Sequence, residues 1–172
     1  MDGIEKEIQV NISFSPPDMT DLEIEAVTDA IRSGWITTGP RTKELEQQVA
    51  KYCNVNKAVC LNSQTACAEM ALRILDIEPG DEVIVPAYTY TASASVVSHV
   101  GAKLVLVDIQ KDSPEMNYDI LETAINEHTK AVIPVDLAGI PCDYDKIFTI
   151  ADAKKIYFDL PVQYRRLWEE YL

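Results

Sequence analysis

The chain has 172 residues, 47% of them hydrophobic and 25% charged, which is enough apolar material for one well-buried core and sets a single globular domain as the expectation. Its 28 acidic against 15 basic side chains leave a formal charge of -13, which repels nucleic-acid phosphates and anionic membrane surfaces and excludes both as partners. No run approaches the roughly 18 apolar residues of a membrane span, and nothing near Met1 has the profile of a secretory leader, so the chain reads as cytoplasmic.

In chain order, residues 1–19, with Pro16-Pro17, are expected to form an extended arm. Thr20 and Glu23 make a capping box ahead of Leu22, Ala26, Val27, Ala30 and Ile31 at helical spacing, and Gly34 supplies a left-handed stop. A second helix is predicted from Thr42 to Cys53, with Leu45, Val49 and Tyr52 on one face and Asn54 just past its end. Lys57 to Leu61 reads as a short buried strand feeding a helix marked by Ala66, Met70, Ala71, Ile74 and Leu75. The turn Pro79-Gly80-Asp81 leads into a strand from Glu82 to Val85, and Thr91 to Val100 reads as a helix closed by Gly101.

Lys103 to Val107 reads as a strand, Asp119 to His128 as a helix with an Asp119 and Glu122 capping pair, and Ala131 to Val135 as a further strand. A helix from Asp143 to Lys154 and a short strand from Ile156 to Phe158 follow. Leu160, Tyr164, Leu167, Trp168 and Tyr171 then share one face of a last helix, whose apolar stripe is expected to dock on its own domain, with a partner protein as the alternative. Apolar strands alternating with helices indicate an α/β fold, a mostly parallel sheet covered on both faces. The cysteines, Cys53, Cys60, Cys67 and Cys142, lack CxxC spacing and read as reduced, structural residues.

Candidate chemistry gathers where strands run into helices. Asn62-Ser63-Gln64-Thr65-Ala66 opens a helix whose first backbone N–H groups are unpaired and whose dipole is positive there, a setting that suits a phosphate. Asn62 or Ser63 could equally serve only to cap that helix. Pro86-Ala87-Tyr88-Thr89-Tyr90 puts two aromatics at the carboxyl end of a strand, where open α/β sheets bind ligands and where a ring could stack on a flat cofactor. The plainer reading leaves Tyr88 and Tyr90 as core-edge residues with their hydroxyls in water. No GxGxxG follows the first strand, which disfavours a dinucleotide-binding domain.

Five blocks in one order are more specific than any of them singly: Ser33-Gly34-Trp35-Ile36-Thr37-Thr38-Gly39-Pro40, Asn62 to Ala66, Gly80 to Pro86, Val107-Asp108, and Pro134-Val135-Asp136-Leu137-Ala138-Gly139. Together they resemble the DegT/StrS family of pyridoxal-phosphate-dependent sugar aminotransferases, over roughly Asn11 to Ile147. The resemblance implies a three-layer α/β/α, fold-type I aminotransferase large domain across residues 20–155, followed by a divergent tail at 156–172. It implies pyridoxal 5'-phosphate as cofactor, a homodimer, and transfer of an amino group from glutamate or glutamine to a keto sugar nucleotide.

Carried over by position, Ser63, Gln64, Thr65 and Ala66 would hold the cofactor phosphate and Tyr90 would stack on its ring. Trp35, Thr37, Thr38 and Gly39 resemble the segment lining the active-site entrance, as substrate contacts or as an ordinary loop. Asp136 stands where many relatives have histidine and either tunes substrate choice or caps a loop.

Two family features have no convincing counterpart: the aspartate segment that pairs with the pyridine nitrogen and the serine-flanked lysine that anchors the cofactor. Asp152 and Asp159 are superficial stand-ins for the first. Ser98 and Lys103 imitate the second, but Lys103 begins a strand and reads as a solvated lysine. No catalytic residue is therefore assigned. The chain reads as a truncated large domain, inactive alone, with a related dehydratase also open. The alternative is a non-catalytic remnant or interaction module that pairs with a full-length relative.

Overall fold

The computed structural model describes residues 16–154 and the backbone of Tyr157–Phe158. The chain divides into two compact units, one up to Lys43 and one from Glu44 onward. The stretch before residue 16 and the expected last helix lie outside the described residues.

In the first unit, α1 (Asp21–Arg32) starts at the expected capping box: Glu23 Oε2 accepts from the Thr20 N–H at 2.6 Å, and Thr20 Oγ1 accepts from the Leu22 N–H at 3.2 Å. Gly34, at φ +72°, takes the left-handed conformation that ends the helix. The next helix, α2 (Pro40–Cys53), begins two residues before the expected Thr42, because proline is well suited to the first helical position, where no N–H is needed. Asn54, just past its end, has φ +53°.

The second unit is built on a parallel sheet in the order β2-β1-β3-β4: β1 (Glu82–Pro86), β2 (Lys103–Val107), β3 (Thr129–Val132) and the two-residue β4 (Tyr157–Phe158). In register, Ile84 lies opposite Val105 of β2 and Val132 of β3, and Val132 lies opposite Phe158. Around it are α3 (Gln64–Ile74), α4 (Thr91–His99), α5 (Tyr118–Ala124) and α6 (Tyr144–Lys154). All five residues of β1 are buried, as a central strand covered on both faces requires.

Alternate strand residues point to opposite faces, and this splits the core in two. On one face Val83, Val85 and Ala131 pack with Leu72 of α3 and Val96 and Val97 of α4. On the other Ile84, Val107 and Val132 pack with Leu121 of α5 and Ile147 of α6.

Three expectations are corrected. Residues 57–61 pair with no strand among the described residues, and Val59 and Leu61 are exposed. The apolar run there is genuine, but a strand exists only where a neighbour takes up its backbone groups, and β1 already has β2 and β3 on its two edges. The helix expected at Asp119–His128 is shorter and is capped by Asn117, whose Oδ1 accepts from the N–H groups of Asp119 and Ile120 at 3.1 Å each. It stops at Ala124 because Asn126 forms a turn instead, donating its N–H to Thr129 Oγ1 at 3.0 Å and accepting from the His128 N–H at 2.8 Å. The following strand starts at Thr129 rather than Ala131 and ends at Val132, short of Pro134, which has no N–H to give a ladder.

Candidate functional site

Connectivity alone marks one end of the sheet. From β1 the chain passes through α4 on one face to β2; from β3 it passes through α6 on the other face to β4. Adjacent strands β1 and β3 thus send their connections in opposite directions, which makes their carboxyl ends a topological switch point, the usual crevice for a ligand in an open α/β sheet. Tyr90 follows β1 there, and Asp136 follows β3.

The amino end of α3 faces the same way. Both α3, which feeds β1 through the turn at Gly80, and α4, which crosses back from β1 to β2, deliver the chain to the amino edge of the sheet. The last turns of the two helices meet, with Arg73 Nη2 donating to the His99 carbonyl at 3.4 Å and Glu69 bridging Arg73 and His99 at 2.8 and 2.9 Å. Their first turns, Gln64–Ala66 and Thr91, accordingly lie toward the switch point.

At that end Ser63 is the helix cap: its Oγ accepts the Ala66 N–H at 3.1 Å, while the Ser63 carbonyl takes the Cys67 N–H at 3.1 Å. The N–H groups of Gln64 and Thr65 are left without a protein acceptor among the described residues, and the half-buried Thr65 hydroxyl has none either. Three donors at the positive end of a helix dipole fit a phosphate dianion. Tyr90 precedes α4 with its side chain making no cap bond and 80% exposed, so a ring face is open to a planar ligand. Tyr88 is exposed as well. The donor set and the free aromatic therefore suit a phosphorylated aromatic cofactor such as pyridoxal phosphate.

Asp136 is tied into the loop after β3. Its Oδ1 accepts from the Cys142 N–H at 3.0 Å and from the Tyr144 hydroxyl at 2.9 Å, across a short 3-10 turn at Leu137–Gly139. Nothing in the sequence singled out Tyr144; a partner eight residues away across an irregular turn leaves no periodic trace. Beside it, burial first and the Asp136 charge second push the Cys142 thiol up to about 11. Burial likewise raises the Tyr118 hydroxyl well above the usual phenol range, and that hydroxyl donates to Glu115 and accepts from the Asp143 N–H, both at 2.6 Å.

Lys103 lies at the opposite, amino edge of the sheet, its Nζ 2.6 Å from Glu82, so it stands apart from the switch point. The segment Trp35–Gly39 belongs to the first unit, where the Trp35 indole N–H donates to the Thr38 carbonyl at 3.1 Å and Thr37 and Thr38 are exposed. All four cysteines are free, and among the described residues no cluster of acidic, histidine and cysteine side chains could hold a metal ion. Among them, too, no helix is long and apolar enough to cross a membrane.

The fold is that of a partial fold-type I aminotransferase domain. The chain belongs to the DegT/DnrJ/EryC1/StrS aminotransferase family, whose model matches residues 17–159. Over 140 residues it is 40% identical to the UDP-4-amino-4-deoxy-L-arabinose--oxoglutarate aminotransferase of Shewanella sediminis, a match covering 81% of this chain and 36% of that protein.

Among solved structures it is similar to Spr1654 of Streptococcus pneumoniae, assigned as a sugar aminotransferase. The PMP form is 61% identical with a TM-score of 0.81, covering 85% of this chain and 37% of that one. The PLP form is 56% identical with a TM-score of 0.82, covering 94% and 41%. DesV of S. venezuelae, in complex with a ketimine intermediate, is 39% identical with a TM-score of 0.74, covering 80% and 38%. The chain thus spans about two fifths of the length of the relatives it matches.

Proposed function

We propose that this chain forms the part of a pyridoxal-phosphate-dependent sugar aminotransferase that grips the cofactor's phosphate and covers its ring. The observation that carries this reading is the pair of unclaimed N–H groups at Gln64 and Thr65, with the Thr65 hydroxyl beside them, at the end of the sheet that Tyr90 also occupies. When bound, the cofactor would supply an electron sink through which an amino group passes from glutamate or glutamine to a keto sugar nucleotide.

The protein's own contribution is placement and electrostatics. Gln64 and Thr65 hold the phosphate by charge-assisted hydrogen bonds, and Ser63 keeps the helix end in shape by satisfying Ala66. Tyr90 excludes water from one face of the ring. Asp136, its Oδ1 fixed by Cys142 and Tyr144, holds the loop after β3 at the margin of the site. The complete transfer, with its anchoring lysine, its sugar and its donor, and a homodimer or a full-length relative as partner, is proposed for the protein in which these residues work.

Pyridoxamine 5'-phosphate is the suitable probe, since it lacks the aldehyde that would label surface lysines. Calorimetric titration of the chain should show one site per chain, weakened about tenfold by Thr65→Val through loss of a charge-assisted hydrogen bond. Wild-type chain that binds no more tightly than the Thr65→Val variant would defeat the proposal.

A further inference from the structure

The chain leaves β3 at Val132 and enters α6 at Tyr144, and the loop between them is tied to itself. Asp136 Oδ1 accepts from the Cys142 N–H at 3.0 Å and from the Tyr144 hydroxyl at 2.9 Å, and the Cys142 thiol donates to the Val135 carbonyl at 3.4 Å. The two ends of residues 136–142 therefore meet, as in a compact Ω-loop. At its tip Ala138 has φ +54° and Gly139 φ +78°. A residue with a side chain keeps the left-handed conformation only where its surroundings over-determine it, and such residues gather at binding sites. Here the cross-ties supply that constraint.

These ties fix the loop's shape but not its place on the sheet, because each of them runs between residues 135 and 144. Its place is set from α5. The hydroxyl of Tyr118, the first residue of that helix, accepts from the Asp143 N–H and donates to Glu115 Oε2, both at 2.6 Å, while Glu115 Oε1 accepts from Ser113 Oγ at 2.9 Å. A tyrosine hydroxyl has a single proton, so giving it to Glu115 turns a lone pair toward Asp143. The ring is buried in the core with Ile84 and Val132, which makes the hydroxyl a fixed point referred to β1 and β3 themselves.

We propose that Tyr118 is a positioning residue: acting through Asp143, it holds the self-tied loop after β3, with Asp136, against the crevice at the carboxyl ends of β1 and β3, and Glu115 keeps its hydroxyl aimed. Tyr118 itself touches no ligand. The cofactor as occupant of that crevice rests on the aminotransferase reading above, whereas the tether rests only on the chain's own contacts. A wall held in place beforehand spares the entropy of ordering it on binding, so cutting the tether weakens affinity although no contact to the ligand is deleted.

Tyr118→Phe keeps the buried ring and deletes the tether, while Glu115→Gln keeps an acceptor for the hydroxyl. In ¹⁵N spectra of the full chain the amides of Leu137, Ala138 and Gly139 should be displaced in Tyr118→Phe and stay near their parent positions in Glu115→Gln. Unmoved loop amides in Tyr118→Phe overturn the tether whatever the chain binds. Titration with pyridoxamine 5'-phosphate, under conditions where each variant is folded, should show affinity lowered about threefold to tenfold by Tyr118→Phe and unchanged by Glu115→Gln. A lower urea midpoint with parent-like affinity in Tyr118→Phe confines the residue to stability and overturns the positioning role, while the aminotransferase reading stands. A parent chain that binds no pyridoxamine phosphate overturns that reading and the effect on affinity together, and the loop amides still decide the tether.

Discussion

Glu82, buried at the start of β1, takes the Lys103 ammonium at 2.6 Å from the start of β2 and the Asn126 amide at 2.7 Å from the turn before β3. One carboxylate thereby ties three strands at the amino edge of the sheet. The Lys103 hydrogen bond, then that of Asn126, holds its carboxyl below the usual value of 4.5. A depressed carboxyl stabilises the fold fully above its unfolded pKa and loses that contribution as pH falls through the folded one. Glu82→Gln should therefore lower the urea midpoint at pH 7 and converge with the parent in acid well below 4.5. A constant difference between the two across that range would show that the charge is irrelevant.

Cys142 should be the slow thiol. It is buried, its Sγ lies 3.4 Å from the Val135 carbonyl, and its pKa is pushed up to about 11, whereas Cys53, Cys60 and Cys67 are all partly exposed. At pH 8 a disulfide reagent should label those three readily and Cys142 only on denaturation. The linkage has the opposite sense to that of Glu82: the unfolded thiol ionises from about 9 and the folded one only near 11, so stability falls as pH rises through that interval. Cys142→Ala should flatten that part of the profile, as a denaturation series from pH 8 to 11 would register.

Ser63 and Thr65 should separate stability from binding. Ser63→Ala removes the acceptor for the Ala66 N–H and should cost about 1 kcal/mol in denaturant unfolding, the usual value of a lost cap. Thr65→Val removes a hydroxyl that has no protein partner, so stability should change little while pyridoxamine phosphate affinity drops. If Ser63→Ala proved the more damaging to binding, the cap would have to be reassigned as a ligand contact.

Short-range signals survived the passage from sequence to structure. The Thr20 and Glu23 box and the stops at Gly34 and Gly101 depend on neighbours a few residues away and appear where the residues place them. What failed depended on distant partners. Residues 58–61 form an apolar run like a buried strand but find no ladder among the described residues, and the end of α5 is set by Asn126, whose side chain is drawn to Glu82, 44 residues distant. In the candidate site, the orphan N–H groups of Gln64 and Thr65 were legible as a helix beginning. The contact that makes residue 39 a glycine was not, since the Trp35 indole folded back over four residues has no pattern in one dimension.

Asp136 offers the sharpest separation between architecture and recognition, because both of its hydrogen bonds converge on Oδ1. An asparagine can present one carbonyl oxygen to the same two donors, the Cys142 N–H and the Tyr144 hydroxyl, at the cost of the charge alone. Alanine would leave both donors without that acceptor, at about 1–3 kcal/mol. Thermal or urea unfolding should thus rank parent and Asp136→Asn close together and Asp136→Ala well below. With the loop intact in Asp136→Asn, a change in its binding of UDP-glucose would isolate a role for the charge in substrate choice. Unchanged binding would confine Asp136 to holding the loop after β3.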